Sequence, residues 1–236
     1  MEAYIWQKAV CLLIGYACGL IQTGYLIGKA QGIDIRSVGS GNAGTTNMLR
    51  TFGVGTGVLT LLCDAAKTLL AMVIAWLIFR NSLPDIVFLL QIYAGAGAIL
   101  GHDFPFYMGF RGGKGIACTA GLAIGLMDPV LIVLGLLTFF IIFFATHYVS
   151  LGSCLVWLGL IVEIVIMGQL GIGKFGSLPQ GQRIEIYVIM LLLGILAWWQ
   201  HRSNIQRLLA GKERKTYLNH EKNLAEAERF KAMQGK

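Results

Sequence analysis

Charged residues are scarce in this chain of 236 residues: Asp, Glu, Lys and Arg make up 13% of it, whereas hydrophobic residues make up 56%. A soluble domain carries roughly 25% charged residues. Apolar runs of about 20 residues recur along the sequence, and a run of that length can cross a bilayer as a helix. Little sequence lies between the runs, which excludes a separate soluble domain. The composition therefore predicts an all-α, polytopic integral membrane protein.

Several site signatures are also missing. The five cysteines lie in apolar segments without a CxxC pair, so we predict buried thiols and no metal ligands. No HExxH motif, no Asp-rich metal motif and no GxxxxGK[ST] phosphate loop occurs, and no histidine has an aspartate five residues later, as the HxxxxD acyltransferase pairing requires. These absences predict a site without metal or cofactor, which works through hydrogen bonds and cations.

Seven transmembrane helices are predicted, at 4–27, 53–79, 85–101, 116–127, 129–147, 152–170 and 184–200. The apolar stretch 116–147 decides the count. One helix over its more than 30 residues would measure about 50 Å, whereas the hydrocarbon core is about 30 Å thick. Asp128–Pro129 lies partway along, and proline favours a break there. The stretch is therefore predicted to form two spans, the first unusually short.

The distribution of lysine and arginine predicts the orientation. With seven spans, the loops 28–52 and 101–115, the link 147–152 and the C-terminal tail share one side, and most cations lie there. The positive-inside rule places that side in the cytoplasm and the N-terminus outside. Anionic lipid then explains the basic tail, without nucleic acid as a partner. The predicted organisation is a seven-span domain at 1–215 and a basic cytoplasmic tail at 216–236.

The first cytoplasmic loop carries "GSGNAGTTNMLR" at 39–50. Backbone N–H groups of a glycine-rich turn that opens a helix form an anion-binding nest. Arg50 adds a guanidinium whose fork suits phosphate. A flexible membrane loop is the alternative, but it needs neither Arg50 nor two asparagines. The predicted phosphate-binding residues of this loop are Ser40, Gly41, Asn42, Gly44, Thr45, Thr46 and Asn47.

The second loop carries "GHDFPFYMGFRGGKGIA" at 101–117. Its "RGGKG" enters a helix and predicts a second anion cradle of Gly112, Gly113 and Lys114, with Lys114 as the point charge. The loop's aromatic side chains either line the entry of an acyl chain or anchor the loop at the membrane interface. His102 is either an acid or base or an interfacial imidazole.

The third segment, "HRSNIQRLLAGKERK" at 201–215, begins where the last span ends. His201 and Asn204 are three residues apart and Arg207 three further, so a helix places them on one face. Such a polar stripe can hold a hydroxylated, phosphorylated small molecule. The alternative is a basic helix that lies on lipid headgroups.

The second predicted span contains two ionisable residues, Asp64 and Lys67. Their i, i+3 spacing allows an ion pair, which lowers their cost in lipid. An intramembrane pair indicates a functional site, but it could equally be a structural lock between helices. Glu163, in the sixth span, has no obvious partner in the sequence.

Together the three segments resemble the three main motifs of the bacterial acyl-phosphate:glycerol-3-phosphate acyltransferases (the PlsY type), over about residues 4–215. "VSLGS" at 149–153 and the Asp64/Lys67 pair resemble further family features. The resemblance implies transfer of a fatty acyl group from acyl-phosphate to the 1-hydroxyl of glycerol 3-phosphate. The products would be lysophosphatidic acid and inorganic phosphate, in phospholipid biosynthesis at the cytoplasmic face of the bacterial inner membrane. It implies no obligate protein partner.

The resemblance also implies residue roles. Ser40, Asn42, Arg50 and Lys114 would line the phosphate pocket, and His201 and Asn204 would orient glycerol 3-phosphate. Ser40, Arg50, Lys114, His201 and Asn204 are thus the expected catalytic residues, and Lys67 joins the loop residues as a substrate-binding candidate. The acyl donor's phosphate is the expected proton acceptor, with His201 as the competing candidate. Relatives often carry arginine at position 147, where this chain has His147, so Ser150 and Ser153 are weak phosphate-binding candidates.

A transporter for a phosphorylated anionic solute is the alternative function. The short span before Asp128–Pro129 and the glycine-rich loops are typical of the broken helices that surround anion sites in transporters. Against this, the polar motifs all lie on one face, whereas alternating access places the site near the midplane. The sequence shows no internal repeat either.

Overall fold

The computed structural model describes residues 4–234; residues 1–3 and 235–236, with the tail cation Lys236, lie outside the described residues. Within 4–234 the chain forms twelve α-helices and no strand. Their bounds are α1 Ile5–Gly19, α2 Thr23–Ala30, α3 Thr45–Phe52, α4 Val54–Phe79, α5 Val87–Asp103, α6 Ile116–Gly125, α7 Pro129–Thr146, α8 Val149–Leu170, α9 Gly173–Ser177, α10 Gln180–Gln200, α11 Arg202–Leu209 and α12 His220–Gln234.

Six segments are long and apolar enough to cross a membrane: α1 with α2, α4, α5, α7, α8 and α10. The predicted all-α polytopic fold is confirmed. The remaining predicted span, 116–127, corresponds to α6, which has 10 residues and measures about 15 Å at 1.5 Å per residue. It therefore reaches only partway through a hydrocarbon core of about 30 Å. The number of crossings and the side of each terminus stay predictions.

The predicted break at Asp128–Pro129 is confirmed, because α6 ends at Gly125 and α7 begins with Pro129. The Asp128 carboxylate accepts a hydrogen bond from the Val130 backbone N–H at 3.0 Å. Proline suits the first helical position, where its missing N–H leaves no bond unmade, and aspartate caps the free N–H groups. The dipeptide thus ends one helix and starts the next.

The first predicted span, 4–27, is not one helix: α1 ends at Gly19 and α2 begins at Thr23. Buried side chains compensate the interrupted backbone. The Gln22 amide donates to the carbonyls of Gly19 at 3.3 Å and His102 at 2.9 Å, and the Lys67 ammonium donates to the Ile21 carbonyl at 2.6 Å. Because these partners come from distant parts of the chain, local sequence carried no signal for the break.

Small residues bring α1 and α5 into close contact. A Cβ atom added at Gly97 would lie 2.2 Å from the Leu12 carbonyl oxygen, and one at Gly15 would lie 2.0 Å from the Ala94 carbonyl oxygen. In lipid, helix association depends on such van der Waals packing, since the hydrophobic effect does not distinguish lipid from helix. The helix α5 is therefore the packed centre of the bundle, with Leu90 among its fully buried residues.

The four segments predicted to share a side do meet at one end of the bundle. The loops before α3 and α6, the start of α8 after the α7–α8 turn, and the segment from His201 onward all line the same cavity. The helices alternate in direction so that α5 and α10 end there, whereas α4, α6 and α8 begin there. That this end faces the cytoplasm stays a prediction.

The α1–α5 contact yields a stability prediction. Gly97→Ala is expected to lower the free energy of unfolding by about 2 kcal/mol or more, because the new methyl group overlaps the Leu12 carbonyl and overpacking forces the helices apart. The matched control is Gly135→Ala in α7, where the added Cβ meets nothing within 4 Å. The measurement is the thermal unfolding midpoint of both variants in one detergent; equal midpoints would contradict the packing account.

Candidate active site

The shared end of the bundle contains a cavity of about 750 Å³. Its lining combines hydroxyls, amides and cations with the apolar side chains of Phe104, Phe110, Phe139 and Trp199. Thirteen of the fourteen predicted site residues line it: Ser40, Gly41, Asn42, Gly44, Thr45, Thr46, Asn47, Arg50, Gly112, Gly113, Lys114, His201 and Asn204. The cavity thus suits an amphiphile with an anionic head.

The two asparagines of the first loop hold it in place. The Asn47 amide accepts from the Ser40 N–H at 2.9 Å and donates to the Val38 carbonyl at 3.0 Å. The Asn42 side chain accepts from the Gly44 N–H at 3.0 Å and donates to the Gly112 carbonyl at 3.1 Å. Asn42 therefore joins the first loop to the second.

These bonds revise the predicted anion nest. The N–H groups of Ser40 and Gly44 bond to the asparagine side chains, and that of Gly41 donates to the Val38 carbonyl at 3.1 Å. These three N–H groups are therefore not available to an anion. Within the described chain, the unpaired polar group at this point is the buried hydroxyl of Thr45, at the N-terminus of α3. The start of α3, with the predicted residues Thr45 and Thr46, offers hydrogen-bond donors to an anion.

The second loop rests on His102. The Gly113 N–H donates to the His102 carbonyl at 3.0 Å, and a Cβ atom at Gly113 would lie 1.9 Å from His102 Nε2. Only glycine therefore fits against the imidazole. The N–H groups of Gly112 and Gly113 both bond to backbone carbonyls of α5, so the loop presents the side chain of Lys114, and not these two N–H groups, to the cavity.

His102 belongs to a buried network with Asp64 and Lys67. The Lys67 ammonium lies 2.8 Å from the Asp64 carboxylate and 2.9 Å from His102 Nδ1. Since an ammonium only donates, Nδ1 is the acceptor and the ring proton is on Nε2. Lys67 is absent from the cavity wall, while Asp64 and His102 reach it. The geometry is that of a structural lock between helices, and a contact of Lys67 with substrate would require these partners to be exchanged.

Lys114 belongs to a second network, centred on Glu213. The Lys114 ammonium donates to the Asn204 side-chain oxygen. The Asn204 amide in turn donates to the Glu213 carboxylate at 2.7 Å, and the Ser150 hydroxyl donates to it at 3.0 Å. Arg207 pairs with the other Glu213 oxygen at 2.7 Å. One buried carboxylate thus orients three groups of the cavity wall.

Burial changes the acidity of the key nitrogen groups. Burial and the charge of Arg207 lower the pKa of Lys114 to about 8, against the opposing effect of Glu213. Burial and the charge of Lys114 lower the pKa of His201 to about 4. His201 Nδ1 lies 2.8 Å from the Ala197 carbonyl oxygen, so this nitrogen carries the ring proton and Nε2 is the free acceptor. His201 is therefore neutral near pH 7.

Arg50 is held from the C-terminal side. Its Nε and Nη2 donate to the Thr216 hydroxyl at 3.0 and 2.6 Å, and Nη2 also donates to the Arg214 carbonyl at 2.8 Å. Burial and the charge of Arg214 lower the pKa of Arg50 to about 10, which leaves it a cation at neutral pH. Arg50 and Lys114 are thus cations of the cavity wall with no carboxylate within salt-bridge distance in the described chain.

Sequence reasoning missed three residues of this region. Glu213 was the only carboxylate in the basic segment 201–215, and that isolation was the signal that could have found it. Asp103 lines the cavity next to His102, with both carboxylate oxygens unpaired within the described chain. Thr216 gave no signal, because it lies in what was predicted to be a tail without a role in the site.

Comparison with known proteins identifies the relatives of this arrangement. The family model described as glycerol-3-phosphate acyltransferase matches residues 9–211. The proteins named glycerol-3-phosphate acyltransferase of Shouchella clausii and Thermotoga petrophila are 39% and 41% identical, over 89% and 87% of this chain and 96% and 95% of theirs. The crystal structure of PlsY (YgiH), an integral membrane glycerol 3-phosphate acyltransferase, in its glycerol 3-phosphate form superposes with a TM-score of 0.75 at 29% identity, over 89% of this chain and 96% of that one. Its lysphosphatidic acid form gives 0.72 at 28% identity.

Proposed function

The chain belongs to the glycerol-3-phosphate acyltransferase family, and on that premise we propose that it transfers a fatty acyl group from acyl-phosphate to the 1-hydroxyl of glycerol 3-phosphate. The observation that carries the proposal is the cavity itself, whose lining combines Arg50 and Lys114 with hydroxyls, amides and aromatic side chains. Both substrates carry phosphate, and one carries an acyl chain. The cations, hydroxyls and amides of the cavity suit the phosphate groups, and its aromatic side chains suit the acyl chain.

The cations serve the leaving phosphate. Arg50 presents a guanidinium fork and Lys114 a point charge, and both keep their positive charge below pH 8. The start of α3, with the unpaired Thr45 hydroxyl, adds donors whose partial charge favours an anion. These groups stabilise the charge that develops on the phosphate oxygen as its bond to the acyl carbon breaks.

His201 and Asn204 serve the nucleophile. Asn204 is fixed between Lys114 and Glu213, and His201 Nε2 is a free acceptor on the same segment. A glycerol 3-phosphate bound beside them would direct its 1-hydroxyl to these residues. Holding the hydroxyl at the acyl carbon supplies the proximity that this reaction needs.

The step balances without an added cofactor. The 1-oxygen of glycerol 3-phosphate attacks the acyl carbon, a new ester C–O bond forms, and the C–O bond to phosphate breaks. The hydroxyl proton moves to the departing phosphate, which gives lysophosphatidic acid and inorganic phosphate. His201, with a pKa of about 4, is a weaker base than a phosphate whose second pKa is about 6. The phosphate is therefore the preferred proton acceptor, and His201 orients the hydroxyl.

The proposed location is the bacterial inner membrane, with the cavity facing the cytoplasm. Six membrane-crossing segments support the membrane assignment, and the basic residues around the cavity support the side. The substrates are the partners that the proposal requires.

The first test measures release of inorganic phosphate from palmitoyl phosphate by the detergent-purified protein, with and without glycerol 3-phosphate. We expect release that depends on glycerol 3-phosphate and falls at least roughly a hundredfold in Lys114→Ala and Ser40→Ala, because the phosphate loses charge stabilisation or a hydroxyl donor. The matched control is Lys222→Ala, an exposed cation of α12 that does not line the cavity.

Absence of release by a folded, monodisperse protein would refute the acyl transfer. Uptake of a phosphorylated solute into sealed vesicles by that same protein would then support the transporter. New lipid formed in detergent excludes the transporter as the sole function, because a transporter changes no covalent bond.

Lys114 predicts the alkaline limb of the pH profile. Its ammonium is present below its pKa of about 8 and is lost above it, so kcat/KM is expected to fall about tenfold per pH unit beyond that point. Lys114→Arg should move the limb to higher pH, since arginine stays charged. A wild-type profile that is flat from pH 7 to 10 would contradict this role of the ammonium.

The choice of base predicts the behaviour of His201→Gln. Glutamine retains an acceptor but cannot take a proton, so we expect the variant to keep at least roughly a tenth of kcat if the phosphate is the base. Steady-state kinetics with both substrates measure this. A kcat reduced to a few per cent with unchanged KM values would instead make His201 the base.

A further inference from the structure

The segment after α11 returns to the cavity, although it was predicted to be an independent tail. Thr216 is only 1% exposed, and its N–H donates to the His147 carbonyl at 2.9 Å. Its hydroxyl accepts from both Nε and Nη2 of Arg50. The ring centroids of His147 and Tyr217 lie 4.7 Å apart, so Tyr217, the residue after Thr216, packs on the α7–α8 turn.

The last helix, α12, holds this returning segment. Asn223, which is 1% exposed, donates to the Tyr217 carbonyl at 2.7 Å and accepts from the Tyr217 N–H at 2.9 Å. The Glu226 carboxylate accepts from the Lys215 N–H at 3.0 Å and pairs with Arg229 at 2.7 Å. Two buried polar residues of α12 thus fix the backbone on both sides of Thr216.

Both anchors of Arg50 are neutral oxygen atoms, a hydroxyl and a backbone carbonyl. A carboxylate would fix the guanidinium equally well but would cancel its charge, as Glu213 does for Arg207. Nη1 of Arg50 bonds to no residue of the described chain and lies on the edge that the anchors leave open. The contact therefore orients the guanidinium and preserves its charge for an anion.

We propose that Thr216 is a positioning residue, which α12 holds against Arg50 so that the free edge of the guanidinium faces the phosphate of the acyl donor. The proposal rests on the proposed function for the identity of that phosphate. Arginine loses much rotamer freedom when it binds a ligand, and an arginine fixed beforehand avoids that loss. The segment 212–234, past the residues that the family model matches, thereby completes the site.

The test compares Thr216→Val, which keeps the shape and removes the hydroxyl, with Thr216→Ser, which keeps the hydroxyl. We expect kcat/KM for palmitoyl phosphate to fall roughly tenfold in Thr216→Val and less than about threefold in Thr216→Ser, because hydrogen bonds to a charged group are the stronger kind. Thr56→Val is the matched control, since the Thr56 hydroxyl donates within its own segment to Phe52 and lies away from the cavity.

The distribution of the effect separates positioning from general destabilisation. In Thr216→Val the KM for palmitoyl phosphate or kcat should change, and the KM for glycerol 3-phosphate should stay within about twofold of wild type. Asn223→Ala should lower kcat/KM in the wild-type background but not further in Thr216→Val, because both act through one contact. Equal losses in the valine and serine variants, or a gain of activity in Thr216→Val, would overturn the proposal.

A second measurement does not need activity. In protein labelled with ¹⁵N at arginine, the Arg50 Nε–H signal, identified by its loss in Arg50→Lys, should be protected from solvent exchange in wild type and Thr216→Ser and unprotected in Thr216→Val. Identical protection in all three would refute the contact. An enzyme inactive in wild type with the expected protection pattern would refute the proposed function and keep the anchoring of Arg50.

Discussion

The rest of the structure depends on the hydrogen bonds and the ion pair that the Lys67 ammonium forms. The ammonium joins three helices, because it donates to the carbonyl at the α1–α2 break, pairs with Asp64 on its own helix, and donates to His102 on α5. An isolated charge would be very unfavourable among apolar helices, and these three partners together stabilise it. His102, whose tautomer this contact fixes, in turn supports the glycine pair that precedes Lys114. A buried ion network thus supports the loop that positions Lys114, the proposed catalytic cation.

The cations of the cavity wall differ in whether their bonding partner is a carboxylate or a neutral oxygen. Arg207 is paired with Glu213, whereas Lys114 and Arg50 bond to neutral oxygens, so their charge stays available for the proposed substrates. A neutral hydrogen-bond acceptor orients a cation without cancelling its charge. The attraction of that charge for an anion is stronger in a partly buried site of low dielectric than in water. The same distinction explains why Glu213 can lie close to a phosphate site without repelling the phosphate: its charge is already compensated.

Sequence patterns predicted the parts of this molecule that local chemistry controls. Apolar runs predicted the long helices, and Asp128–Pro129 predicted the break between α6 and α7. Every site residue predicted from the three polar motifs lines the cavity; the exception, Lys67, was predicted from the second span. The patterns failed where distant residues decide. The α1–α2 break is compensated by Lys67 and by contacts to α5. The N–H groups of Ser40 and Gly44 bond to the side chains of Asn47 and Asn42, and Thr216 contacts Arg50 across 166 positions. No local period or spacing encodes such meetings.

The short helix α6 has a consequence for how deep the chemistry lies. With 10 residues against the 18 of α7, it is about 12 Å shorter at 1.5 Å per residue. The turn at Asp128 ends α6 and starts α7, so the path along α6 from this turn to the residues next to Lys114 is shorter by that amount than the path along α7 to its far end. In the proposed reaction, a short α6 would let the head of the acyl donor reach Lys114 while its chain stays among lipid tails. Transfer of that chain to water would cost about 0.8 kcal/mol for each CH₂ group. A donor that reaches the cavity by lateral diffusion within the leaflet would avoid this barrier.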